Sequence, residues 1–330
     1  KGARFTVNTT SGVETTALNL AVVPATRGAD VTGDEKFCTG SIIARGGKAH
    51  QRLRIRFDMY DGSTTTYQGD AYVNLSTLEV KTTGGAAGRI KVKAERWQTA
   101  GPAWTRVVAT FEAVASDRKI GCQFQIAPPE SSQHAVGDWV DVAIPQFELG
   151  SCESSFIPTG SSPVTRAADL CKFPMTDNLA PRPFTIAATV DANWRGWGKA
   201  PNAAPRVIDT EGHQSGAAFI MGFGSATNIA DDGYPYCDIG GSNRRVYEMA
   251  KVRKLKVGFR IKDDGKTCSF ANGLVSSETQ SSWEFLAGGA FIRIGGQTAT
   301  GERHLFGHIK DIRVWNSALT DTQLMMESVE

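Results

Sequence analysis

From Arg52 to Met59 the chain alternates without a break: Leu53, Ile55, Phe57 and Met59 fall on one side of an extended backbone, Arg52, Arg54, Arg56 and Asp58 on the other. Only a period of two separates these sets, so the segment is a β-strand with its apolar face on a core. Its basic face meets solvent, a partner or a neighbouring strand. The period recurs at Arg89–Trp97, with Ile90, Val92 and Ala94 inward, and at Phe184–Val190, with Phe184, Ile186, Ala188 and Val190 inward. It returns where Leu255, Val257, Phe259 and Ile261 alternate with Lys254, Lys256, Arg260 and Lys262. Asp61-Gly62, Asp263-Asp264-Gly265-Lys266 and Asn272-Gly273 read as hairpin turns. Many short strands with one apolar face each, joined by glycine-rich turns, pack as sandwiches rather than as a parallel sheet. The one helix-favouring stretch runs from Asp321 to Glu330, with Thr320 as its N-cap.

Pro145, Gly150, Pro158, Gly160 and Pro163 interrupt regular structure among serines and threonines, and a second set of strands opens at Phe184. The expectation is an all-β chain of two consecutive antiparallel β-sandwiches, at 1–165 and 181–330, with a connector at 166–180 and a short C-terminal helix. A length of 330 residues with 41% apolar content can bury two cores. Thirty-six basic against 34 acidic residues leave a charge of +2, so no global field calls for nucleic acid. No run approaches the roughly 18 apolar residues of a membrane-spanning helix, so no membrane insertion is expected. The chain starts at Lys1 without a signal-like core, and Lys1 is not expected to be the native start. Six scattered cysteines without a C-x-x-C pair read as free thiols, Cys38 and Cys122 being small core residues. The histidines are not spaced with them as zinc ligands would be.

Three motifs stand in order across the break: Gln146-Phe147-Glu148-Leu149-Gly150, then Ser155-Phe156-Ile157-Pro158-Thr159, then Val164-Thr165-Arg166-Ala167-Ala168-Asp169. They resemble the closing signature of phage tail-fibre and related virion proteins, where it ends a carbohydrate-binding-module-like jelly roll. Trp104-Thr105-Arg106-Val107 with Thr110-Phe111 is similar to a strand of the same modules. Residues 181–330 resemble a laminin-G-like, concanavalin-like lectin sandwich. That resemblance rests on Phe184-Thr185-Ile186, the hairpins from Asp264 to Gly273, and the long ordered run from Gly307 to Thr320.

Resemblance to lectin sandwiches implies sugar binding by loops at one rim, at times with Ca²⁺ held by carboxylates. Asp231-Asp232-Gly233 with Tyr234, Tyr236 and Asp238 would suit this: Asp231, Asp232 and Asp238 as hard oxygen ligands, the two tyrosines as stacking faces. The ordinary reading of Asp-Asp-Gly is a turn. No cofactor is demanded, and Ca²⁺ is the one ion this cluster would take. Trp194 and Trp197 sit in a glycine-rich loop with Asn193 and Arg195 beside them. They either pack under the sandwich or line a glycan patch, with Asn193 and Arg195 supplying hydrogen bonds. Lys254, Lys256, Arg260 and Lys262 would attract acidic glycans or merely solubilise a strand.

For catalysis the best carboxylate pair is Asp209 and Glu211, two apart on a strand that runs into a loop. No G-x-S-x-G or H-E-x-x-H occurs, and no enzyme is expected. The resemblances imply a virion protein, made in the bacterial cytoplasm, that attaches to bacterial surface glycan such as lipopolysaccharide or capsule. It would work beside other virion proteins and as a homotrimer. The alternatives are a scaffold or decoration protein whose sandwiches only pack against neighbours, and a glycan depolymerase.

Overall fold

The computed structural model describes the chain apart from residues 1, 11, 13–15, 34–35, 98–102, 161, 166–168, 170, 176–177, 180–181, 196–203, 211–218, 225–232, 240–241, 249–251, 282–290, 298–302 and 330, and apart from the side chains of 17–19 and 242–243. It divides into two compact units, Lys1–Val164 and Thr165–Glu330. Each is an antiparallel β-sandwich.

The N-terminal unit contains β1 (Ala3–Thr6), β2 (Ala17–Val22), β3 (Ala29–Asp30), β4 (Phe37–Gly46), β5 (Arg52–Tyr60), β6 (Thr65–Asn74), β7 (Val80–Thr83), β8 (Ile90–Arg96), β9 (Thr105–Glu112), β10 (Lys119–Ala127) and β11 (Trp139–Leu149). One sheet runs β1-β11-β4-β9-β8, the other β2-β10-β5-β6-β7 with β3 added on β10. β4 and β5 follow each other in the chain yet lie in different sheets, so the strand alternation must serve a shared interior. Ile42 and Ala44 from one sheet meet Leu53, Ile55 and Phe57 from the other in one buried cluster. Phe57 stacks on Phe111 across that gap, ring centroids 5.2 Å apart. Cys38 and Cys122 are buried there, as small core residues should be. Gly40 is required at its place, because a Cβ would lie 2.8 Å from Cys122 Sγ.

The segment that follows β11 has a visible mechanical purpose. After β11 the chain folds back over the outer face of β4 and β9, where Thr39 Oγ1 donates to Gly150 O at 2.7 Å. Gln146 and Glu148 stand two apart on β11 and so share a face. Glu148 Oε1 accepts from Ser154 N at 2.9 Å, and Gln146 Oε1 accepts from Ile157 N at 2.8 Å. The Q-x-E spacing thus satisfies two backbone donors of the departing chain that no strand could pair.

The C-terminal unit contains β12 (Cys171–Pro174), β13 (Phe184–Ala192), β14 (Arg206–Thr210), β15 (Phe219–Phe223), β16 (Pro235–Ile239), β17 (Ser242–Arg245), β18 (Lys254–Ile261), β19 (Lys266–Ala271), β20 (Leu274–Val275), β21 (Thr279–Gln280), β22 (Phe291–Ile294) and β23 (Gly307–Trp315), then a helix at Asp321–Ser328. One sheet runs β12-β22-β14-β15-β16-β17, the other β20-β19-β18-β13-β23 with β21 on β19. Phe219 bridges the sheets to Phe184 at 6.0 Å and to Phe259 at 4.8 Å between ring centroids. Asn272 and Gly273 both take positive φ in the β19–β20 turn, as an Asn-Gly hairpin requires. Thr320 caps the helix, and Gln323 completes a capping box with it.

Two expectations change here. Residues 166–180, expected as a connector, contain β12, which pairs with β22 from Cys171↔Ile294 to Pro174↔Phe291. Met175 and Leu179 behind it are buried. Four residues are too few to carry a legible period. The fragment 165–330 is therefore expected to melt well above the fragment 181–330 in calorimetry, and equal midpoints would show that β12 is dispensable. The basic row on β18 is also no open surface at its centre. Arg260 is buried beneath the helix start, donating to Leu319 O at 2.6 Å and pairing with Asp321 at 2.7 Å and with Glu278.

Candidate functional site

The outer face of the sheet β2-β10-β5-β6-β7 carries a connected set of polar and aromatic side chains with a defined arrangement. Register puts them side by side: Gln125, Arg54, Tyr72 and Lys81 in one row, Gln123, Arg56, Asp70 and Thr83 in the next. Side chains in such rows stand within reach of their neighbours on adjacent strands. Arg54 donates to Gln125 Oε1 at 2.9 Å and to Asp70 Oδ2 at 2.7 Å. Arg56 donates through Nε to Asp58 Oδ1 at 2.9 Å, and Gln123 Nε2 donates to Asp58 Oδ2 at 2.5 Å. Gln125 Nε2 closes the chain of contacts onto Gln123 Oε1 at 3.1 Å.

The aromatic rings belong to the same network. The Arg56 guanidinium lies over Tyr67 at 4.6 Å from the ring centroid, and those of Arg52 and Arg54 lie over Tyr72 at 4.9 and 5.8 Å. Tyr67 donates its hydroxyl to Asp70 Oδ2 at 2.9 Å. Burial first, then that hydrogen bond, pushes the Tyr67 hydroxyl above its ordinary pKa, so it stays protonated and keeps donating. The residue as a whole remains 42% exposed. Asp58 and Asp70, at 3% exposure each, are held under this layer. The result is a set of planar hydrogen-bonding groups already ordered before any ligand arrives, with aromatic faces between them. Such a face can meet adjacent hydroxyls and stack on sugar rings while little side-chain entropy remains to be lost.

The site residues expected from sequence fare differently. Trp194 is 1% exposed, donates Nε1–H to Leu305 O at 2.7 Å, and packs edge-on against Phe223. It is a core residue and offers no stacking platform. Arg195, 2% exposed, donates to Gly233 O at 3.1 Å and Val252 O at 2.6 Å and pairs with Glu248, so it too is closed to a ligand. Tyr236 is buried with its hydroxyl on Arg206. In each case the polar atoms are satisfied by the unit itself, which is how large polar side chains come to be buried at all. Asn193 Oδ1 accepts from Arg253 at 3.0 Å. Tyr234 keeps a half-buried ring against Tyr247, which is 61% exposed, with centroids 5.1 Å apart.

Asp238 is half-buried on β16. Asp231, Asp232 and Trp197 lie outside the described residues, as does Glu211. Among the described residues no group of three or more His, Cys, Asp or Glu is placed to hold a metal ion. Asp209 is buried and ion-paired to Arg206 at 3.2 Å.

The chain matches no protein-family model and no curated protein. Among solved structures it is similar to the LG1-3 region of the laminin alpha2 chain, at 8% identity and a TM-score of 0.30, over 95% of this chain and 67% of that one. At that distance the likeness says nothing of what this chain binds. The architecture rests on the strands and sheets described above. Part of the polar face did carry a signal in the sequence: Gln123 and Gln125, like Asp70 and Tyr72, are spaced by two within strands, whereas Tyr67 lies beyond a register shift and is off that spacing.

Proposed function

We propose that the chain is a non-catalytic attachment module that holds bacterial surface glycan on the outer face of β10, β5 and β6. The observation that carries this is the pre-ordered layer of Arg54, Arg56, Gln123, Gln125, Asp58 and Asp70 around Tyr67 and Tyr72. The closing signature across Gln146–Asp169 supports the narrower reading, a phage tail-fibre or receptor-binding protein in the virion, working beside other virion proteins. Oligomerisation as a trimer belongs to the same reading, and light scattering of the full chain tests it, a monomer counting against it.

Binding to extracted envelope polysaccharide is the test of function. Tyr67→Ala is expected to weaken it by about tenfold or more, as truncating an exposed aromatic anchor does, with a modest fall in the melting midpoint from the lost hydrogen bond to Asp70. Full retention of binding in Tyr67→Ala and in Gln125→Ala together would remove this face from the account. A chain that binds no envelope glycan, yet assembles with other virion proteins, would point to subunit packing instead. Release of new reducing ends would point to a depolymerase.

A further inference from the structure

The two central arginines of the polar face are not equivalent. Arg54 has its terminal nitrogens occupied, NH1 on Thr16 Oγ1 at 3.2 Å and Gln125 Oε1 at 2.9 Å, NH2 on Asp70. Its side chain is 14% exposed. Arg56 gives only Nε to Asp58, and neither of its terminal amino groups has an acceptor among the described residues. Its side chain is 31% exposed. The guanidinium is nevertheless held in place, by the Tyr67 ring on one side and by an Asp58 carboxylate that Gln123 anchors. A planar fork of donors, fixed and facing outward, matches the two oxygens of an oxyanion. Charge agrees: Arg52, Arg54 and Arg56 against Asp58 and Asp70 leave three minus two, one positive charge in excess on these two strands.

We propose that Arg56 is a specificity-determining residue that receives an anionic group carried by a sugar, carboxylate or phosphate, so that this face selects acidic over neutral glycan. This rests on the glycan-binding reading above. The test is affinity electrophoresis of the full chain in gels containing pectate, alginate or a phosphomannan, each run beside its carboxyl-reduced or dephosphorylated form. At least one charged polymer is expected to retard the chain tenfold more strongly than its uncharged counterpart. Arg56→Gln should abolish that preference. Arg56→Lys, which keeps the charge and loses the fork, should retain only a small part of it. The polymer that discriminates tells carboxylate from phosphate. Equal retardation by both members of every pair would overturn the inference while leaving glycan binding in place. A preference that survives Arg56→Gln overturns it as well, as does no retardation by any charged polymer; envelope binding by the Tyr67→Ala series remains the separate test of the underlying reading.

Discussion

Trp194→Ala is expected to cost the C-terminal unit about 3–5 kcal/mol, the range of large-to-small aromatic core substitutions. The ring is almost wholly excluded from water, edge-on to Phe223 at 5.5 Å between centroids, and its indole N–H satisfies the Leu305 carbonyl. Its neighbourhood is tight enough that a Cβ on Gly233 would stand 2.7 Å from the indole. Removal therefore leaves both a cavity and an unpaired carbonyl. Calorimetric melting measures the loss. Trp194→Phe should lose less, about 1–3 kcal/mol, since most ring contacts remain while the hydrogen bond does not. Glycan binding should persist in both variants at temperatures where the protein stays folded. An unchanged midpoint with lost binding would return this loop to the glycan surface.

Arg195→Ala is expected to be comparably damaging, at about 3–5 kcal/mol, because it strands a buried carboxylate. Glu248 is its partner and is itself buried. Burial pulls the Arg195 guanidinium down to about 10, still far enough above neutrality to keep it charged at pH 7. Replacing both members, as Arg195→Met with Glu248→Leu, should recover much of the loss, since apolar groups leave no orphaned charge. Denaturant melts of the two singles and the double form a cycle that isolates the pair. A double variant no more stable than the singles would mean that the backbone contacts of Arg195 to Gly233 and Val252 dominate.

Strand identity was legible wherever six or more residues kept the period of two. Leu53, Ile55 and Phe57 are in the core and Arg54 and Arg56 outside it, as alternation requires. Asn272-Gly273 and Thr320 were legible because turn and cap chemistry is local. What alternation does not reveal is which distant strand stands alongside. That Gln123 and Gln125 flank the arginines of β5 follows from the β10–β5 register, across more than sixty residues of chain. Burial of the Trp194 loop was equally hidden, because irregular segments have no period and the partners at Leu305 and Glu248 lie far along the chain. Arg260 misled for a related reason: alternation showed that it leaves the core, and the covering helix comes from the C-terminus.

The proposed site places ligand on the outer face of β5, β6 and β10. Amide hydrogen exchange of the full chain, with and without the envelope polysaccharide that binds it, measures this directly. Slowed exchange is expected in residues 52–74 and 119–127 on binding, with the segments around Trp194 and Tyr234 unchanged. Protection confined to the Tyr234–Tyr247 region, with the N-terminal strands unaffected, would contradict it.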